Sequence, residues 1–326
     1  MELSALTNMN LRGCLRALPK LAFAAILMLI PVFGYGADIY IVQSRPSGAH
    51  ASVARLIKQQ LSGSLPVESN VTVLLPPQLA LLKKSAGESD YIITVGTDAF
   101  SMVLASNPTA NVVATLIPEQ TFTVIRNKYH RNNNKTSALF IEQNFQRNLD
   151  LAKIVMPNKR AGILLGSGSS KLYDALEEAR FKQGLDLYLK KMKSGENLIS
   201  ALDQVLKNSG VLIAFADPEV SNRNTAQHIL LITYRQRIPV VAYSRAYVKA
   251  GALMAVYSTP EQYAQQTAEL VLQNIRREGS GLFPPQYPKY FSVEINQSVA
   301  HSLGINLKPV HLIESQLKSL AARSGE

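Results

Sequence analysis

The sequence predicts an α/β fold of two lobes, each built on a parallel β-sheet covered by helices. Three observations predict it. Short apolar, β-branched runs of strand length alternate with segments of helical periodicity, which is the rhythm of βαβ units. The runs are apolar throughout rather than every second residue, as strands buried on both faces must be. The rhythm runs through the first part of the chain, gives way to polar residues 126–135 with Asn132, Asn133 and Asn134 in succession, and then starts again. Two similar Rossmann-like lobes joined by crossover segments follow from it, although no internal repeat is visible. At 326 residues the chain is long enough for two moderate cores.

The elements follow in order. Asp38 to Gln43 reads as the first strand, and Ser44 to Gly48 as a polar turn. Val53, Leu56, Ile57 and Leu61 then give the apolar stripe of a helix over 49–61. Val71 to Leu75 is the second strand and Asp90 to Val95 the third, which enters a helix near Ala99 with Thr97 or Asp98 as its cap. Asn111 to Ile117 is a fourth strand, stopped by Pro118, and 122–136 suits a crossover between lobes. A helix over 141–156 ends before Pro157. The second round has strands at 160–165, 186–189 and 211–215, with helices at 171–183, closed by Gly184, and at 198–206. Ala216-Asp217-Pro218 starts a helix that runs to Arg235. Ile238 to Ala242 and Ala252 to Tyr257 are two more strands, separated by Tyr243-Ser244-Arg245 and a short segment ending at Gly251. The best-marked helix comes next: Thr259 as N-cap, Pro260 at the first helical position, Gln262 completing a capping box, and Gly279 after its end. A Gly/Pro loop leads to a last strand at 290–295, and short helices from Asn296 and His311 finish the chain.

The first 36 residues read as a secretory signal. Arg12, Arg16 and Lys20 precede an apolar stretch from Leu21 to Phe33, too short to span a bilayer, which takes about 20 apolar residues. Small residues at Gly34 and Gly36 place cleavage between Gly36 and Ala37. The protein is therefore expected in the periplasm. The one cysteine, Cys14, lies before the apolar stretch, so the exported chain folds without disulfides. Net charge is +11, and removal of Glu2 and the three leader cations takes it to +9. Apart from Lys190, Lys191 and Lys193 the cations are scattered, and no aromatic–basic motif accompanies them, so no nucleic-acid partner is expected.

Enzyme signatures are missing. The five histidines form no metal-ligating pair, no GxSxG elbow is present, and no cysteine nucleophile follows the leader; neither catalysis, metal nor cofactor is expected. Gly166-Ser167-Gly168-Ser169-Ser170-Lys171 leaves a strand and enters a helix, but it matches neither a Walker A nor a dinucleotide fingerprint. What remains is a hydroxyl-rich helix start able to hold a polar group, or a serine-capped turn. Ligand groups of open α/β sheets lie beyond the carboxyl ends of the strands. The polar side chains there are Ser44, Arg45, Thr97, Asp98, Ser167, Ser169, Asp217, Tyr243, Ser244 and Arg245, and these are the candidate ligand-binding residues. An arginine takes a carboxylate bidentately and an aspartate takes an ammonium, so a small zwitterion is a sensible guest.

Five blocks, in order, resemble the substrate-binding proteins of ABC-type uptake systems that have the type I periplasmic binding protein fold. They are Asp90 to Thr97, Met156 to Ile163, Val211 to Asp217, Ile238 to Tyr257, and Phe291 to Leu307 with Asn296, Ala300 and Gly304. Three places depart from the family pattern: Leu116-Ile117-Pro118 stands where an aspartate–proline turn is frequent, Glu119 to Lys135 replaces the Gly-rich stretch that usually follows, and the first strand runs into Arg45. The resemblance implies a first lobe of 37–125 plus 259–282, a second of 137–257 plus 287–296, and a C-terminal helical tail of 297–326. Crossovers are expected at 122–136, 255–259 and 281–287. It further implies a monomeric periplasmic solute-binding component of an ABC importer, which closes on a small polar ligand such as an amino acid and docks on an inner-membrane permease. The alternative is a ligand-sensing or accessory protein of the same fold that serves a membrane receptor or envelope machinery.

Overall fold

A computed structural model of the chain describes residues 37–65, 69–79, 86–277 and 281–323. The leader at 1–36, its cleavage point and Gly279 lie outside the described residues. The first sheet contains β1 (Ile39–Gln43), β2 (Val71–Leu74), β3 (Tyr91–Val95), β4 (Asn111–Ile117) and β5 (Thr136–Phe140), in the order β2-β1-β3-β4-β5. All of its pairings are parallel. Every residue of β3 and of β5 is buried, as strands covered on both faces require. The helices α1 (Gly48–Ser62), α2 (Thr97–Ala105) and α3 (Glu119–Lys128) connect its strands.

The second sheet has six strands: β6 (Ala161–Leu165), β7 (Leu187–Lys191), β8 (Val211–Ile213), β9 (Val240–Ala242), β10 (Met254–Tyr257) and β11 (Ser292–Ile295), in the order β11-β10-β9-β8-β6-β7. Only the β10–β11 pairing is antiparallel. Its helices are α4 (Phe145–Val155), α5 (Ser170–Gln183), α6 (Leu198–Lys207), α7 (Ala226–Arg235) and α8 (Arg245–Ala250). Then α9 (Pro260–Arg276) starts at the expected capping box, with Thr259 and Gln262 bonding reciprocally. It leaves the second sheet and buries Tyr263, Ala264, Ala268 and Val271 in one core with Val53 and Ile57 of α1 and Ile39 and Ile41 of β1. The chain closes with α10 (Gln297–Leu303) and α11 (Val310–Arg323); α11 places Ile313, Leu317 and Ala321 in the core of the second sheet.

Three expectations are corrected. Residues 122–136 are not a crossover: α3 runs to Lys128, a short turn over Asn133–Lys135 follows, and Thr136 to Phe140 form a fifth strand of the first sheet. The short run after three asparagines lacks the flanking signals of a strand, and only pairing with β4 makes it one. Nor does a helix begin at Asp217; residues 217–225 are turns and α7 starts at Ala226. Finally, α2 is not capped by Thr97 or Asp98. Its cap residue is Gly96, and the free Ala99 N–H is taken by the Ser44 hydroxyl from the neighbouring strand end, at 2.9 Å.

The chain therefore passes between the sheets at 141–144, at 258–259 and at 287–291. Side chains tie the three passages together. Gln143 donates to the Ser258 hydroxyl (2.8 Å), and Ser258 donates to the Tyr290 carbonyl (2.5 Å). Arg147, only 3% exposed, donates to Gln143 (2.9 Å) and to the Pro288 carbonyl, and its guanidinium lies 4.7 Å from the Phe291 ring centre. The Tyr263 hydroxyl donates to the Ile141 carbonyl at 2.7 Å, and Lys289 N–H donates to Gln266 at 2.8 Å. Beside them, Glu142 accepts the Glu119 N–H at 3.2 and 3.3 Å. Burial, with the negative charge of Glu119 adjoining, pushes its carboxyl up to about 7 against the pull of the backbone donors.

Arg147→Ala removes a charged donor from two buried acceptors and is expected to lower unfolding stability by about 3 kcal/mol in chemical denaturation. Glu142 behaves oppositely. A carboxyl raised in the folded state contributes stability below its unfolded value of 4.5 and loses it as pH rises through about 7. Glu142→Gln, which stays neutral, should therefore gain about 3 kcal/mol over the native chain near pH 8 and under about 1 kcal/mol near pH 5. Denaturation at the two pH values reads the difference; equal gains at both would refute it.

Candidate functional site

The carboxyl ends of the strands in both sheets carry most of the polar side chains singled out from the sequence. In the first lobe, the turns after β1 and β3 meet. Ser44 N–H donates to the Val95 carbonyl (2.9 Å), and its hydroxyl caps α2 as described. Gly96 permits this approach. Its φ is +94°, and a Cβ there would lie 2.6 Å from His50 Nε2 and 2.7 Å from Ser44 Oγ. Arg45 and Asp98 are exposed on either side, and Thr97 is half-exposed. Burial, then the charge of Arg45, lowers the His50 pKa, while Asp98 pulls it the other way. The net shift favours the neutral imidazole.

In the second lobe, β6 runs into the Gly166–Ser169 turn before α5. This turn is clamped by the turn after β8. Asp217, 4% exposed, accepts from Gly166 N–H (2.8 Å) and the Ser169 hydroxyl (2.7 Å) on one oxygen. Its other oxygen accepts from the N–H groups of Glu219 (2.8 Å) and Val220 (2.9 Å). Four donors use the acceptor capacity of a carboxylate, and Asp217 thereby holds two strand ends together. Ser169 is engaged with it. Next to this clamp, Glu219 accepts from the Ser167 hydroxyl (2.9 and 3.0 Å) and from Gly168 N–H (3.0 Å). Those donors, Gly168 N–H foremost, hold its carboxyl below the usual range. The polar nest at the start of α5 is thus filled by the chain's own carboxylate.

The turn after β9 is also largely self-satisfied. Tyr243 donates to the Ser221 carbonyl (2.8 Å) and packs on Tyr247 at 5.5 Å. Ser244 caps α8 by accepting Tyr247 N–H at 3.3 Å. Arg245 pairs with Glu294 of β11 at 3.3 Å, and that carboxylate also accepts from the Tyr257 hydroxyl at 3.1 Å. The structure brings Ser44, Arg45, Thr97 and Asp98 together on one wall, and Ser167, Ser169 and Asp217 on another. Tyr243, Ser244 and Arg245 form a separate turn.

Five residues at the strand ends or crossovers escaped the sequence reading: His50, Glu119, Glu142, Lys171 and Glu219. Glu119 follows Pro118 at the end of β4, and Lys171 closes the glycine–serine turn, so their positions were readable; Glu142 was not, because β5 itself was missed. A recess of roughly 700 Å³ lies elsewhere, at the amino ends of β8 and β9, where Lys159, Gly210, Arg237, Pro239 and Gly304 line it. That is the opposite end of the second sheet from the walls described above.

No curated protein sequence matches the chain. Solved structures do. A substrate-binding protein with adhesive properties from Clostridium difficile, in its ligand-free, open form, is 17% identical. The match covers 84% of this chain and 96% of that one, with a TM-score of 0.66. A conserved domain protein from Vibrio cholerae is also 17% identical, over 86% of this chain and 98% of that one, with a TM-score of 0.56. A Streptococcus pneumonia domain in complex with L-Trp is 15% identical, over 85% and 97% of the two chains, with a TM-score of 0.54. At these identities the likeness concerns the fold, and it agrees with two lobes of the type I periplasmic binding arrangement. The sequence itself matches the family described as ABC transporter substrate binding protein over residues 78–316, and the chain belongs to that family.

Proposed function

We propose that this protein is the periplasmic solute-binding component of an ABC-type importer, and that its two lobes close on a small polar ligand such as an amino acid. The observation that carries the ligand class is the placement of exposed Arg45 and Asp98 just beyond the ends of adjacent strands, both near enough to His50 to act on its charge. A carboxylate suits the guanidinium and an ammonium suits the aspartate, each by charge-assisted hydrogen bonds. The second lobe contributes Ser167 and the face of Tyr243. The Streptococcus structure with L-Trp supports an amino acid as the class to try first. In this reading the partner is an inner-membrane permease, the protein works as a monomer after export, and it binds its ligand without transforming it. Among the described residues no helix is long and apolar enough to cross a membrane.

The three passages between the sheets supply the hinge, because a ligand that bridges two lobes stabilises the arrangement in which both touch it. An accessory or sensing role has the altered end of β4 in its favour. There Leu116 takes a φ of +53° at a register shift, where the family often has an aspartate–proline turn.

A thermal-shift screen of amino acids, nucleosides, sugars and small acids finds the ligand, since a compound that binds only the folded form raises the melting temperature. With that ligand, Arg45→Ala and Asp98→Ala should each weaken binding about ten- to a hundredfold, the loss expected of one charged hydrogen bond. If both bind as the native chain does, the assignment of this wall is wrong. Saturating ligand should also contract the particle in small-angle scattering; no contraction favours the accessory role. Asp217→Ala separates clamp from contact: it should lower unfolding stability by about 3 kcal/mol or more with no ligand present, whereas a ligand contact would leave the empty protein's stability unchanged.

A further inference from the structure

Lys171 and Glu119 meet across the two lobes. Lys171 stands in the first turn of α5, in the second lobe, and its side chain is 83% exposed; Glu119 opens α3 at the end of β4, in the first lobe, and is 25% exposed. Other ion pairs, such as Arg180–Glu177 and Lys207–Asp203, stay within one helix and say nothing about lobe position. Glu119 is also the more firmly held partner. Its second oxygen accepts the Tyr287 hydroxyl, and Tyr287 sits in the third passage with its ring edge-on to Phe140 of β5 at 5.4 Å. Its backbone N–H donates to Glu142 in the first passage. Glu119 is thus fixed to the first lobe and to two passages, while Lys171 rides on the second lobe. A change of angle between the lobes moves the ammonium away from a stationary acceptor.

We infer that Glu119 and Lys171 form a latch that favours the lobe arrangement of this structure, and that both are positioning residues which tune ligand affinity without touching the ligand. The inference rests on the hinge-closing reading proposed above. An exposed pair of this kind is weak, so it shifts a balance between arrangements rather than locking one. A two- to fivefold change in their ratio is about what such a pair supports. That suits a binding protein, which must reopen to release what it carries.

The test measures lobe separation in the ligand-free protein by double electron–electron resonance. Spin labels go on Met102→Cys in the first lobe and Ile199→Cys in the second, both exposed positions, in a chain starting at Ala37, which has no other cysteine. Lys171→Glu, on an exposed side chain and facing Glu119, is expected to raise the longer-distance population about two- to fivefold. Lys171→Arg keeps the pair and should reproduce the native distribution. Salt of about 0.5 M should raise the longer-distance population of the native protein and lower that of Lys171→Glu, because it screens an attraction in the one and a repulsion between two carboxylates in the other. A Lys171→Glu distribution equal to the native one, or a salt response of the same direction in both proteins, overturns the latch. The two readings fail separately: no contraction with any ligand sinks the importer reading, yet the ligand-free distributions still decide the latch.

Discussion

The structure depends on one buried guanidinium. Arg147 sits on α4 in the second lobe, and its donors reach Gln143 in the first passage and the Pro288 carbonyl in the third, while Gln143 reaches Ser258 in the second. Three chain segments far apart in sequence are thereby held in one cross-section. A charge taken out of water is costly unless its donors are satisfied, and here carbonyl and amide oxygens and the Phe291 face surround it. The cost of losing any partner makes the passages a single unit.

Around that unit the two walls differ in how they are built. The second-lobe wall is closed on itself: Asp217 draws in four donors, Glu219 fills the nest at the start of α5, and Arg245 is paired with Glu294. Such a wall is pre-organised but offers few free groups. The first-lobe wall is the reverse. Ser44 and Gly96 bring two turns into contact, and Arg45 and Asp98 remain exposed beside them. The exposed charges thus lie on one wall and a self-satisfied surface on the other.

The end of β4 links the first-lobe wall to the passages. The register shift between Thr115 and Ile117 leaves Leu116 in the left-handed region, a conformation that costs a bulky residue about 1–3 kcal/mol. The irregularity re-aims the chain, as bulges do, and delivers Pro118 and Glu119 to the side of Glu142 and Tyr287. Strain here has a visible return, since Glu119 becomes the point where first lobe, passages and second lobe meet.

The sequence by itself determined the elements whose signals are local. β1, β3 and β6 are read from apolar runs of strand length, and α9 from Thr259, Pro260 and Gln262, because capping and burial on both faces act within a few residues. It also determined the family, through blocks whose order survives at low identity. Tertiary structure decided what depends on partners distant in the chain. Thr136 to Phe140 is a strand because β4 lies beside it, so the polar stretch before it is a connection within the first sheet and not a crossover. Asp217 looked like a ligand group at a strand end, and two of the four donors that consume it come from a turn some fifty residues earlier, at separations of 48 and 51 positions. The cap of α2 comes from Ser44, 55 positions away. Hydrogen-bond capacity is shared among whichever donors the fold brings close, and no local pattern records which of them arrive first.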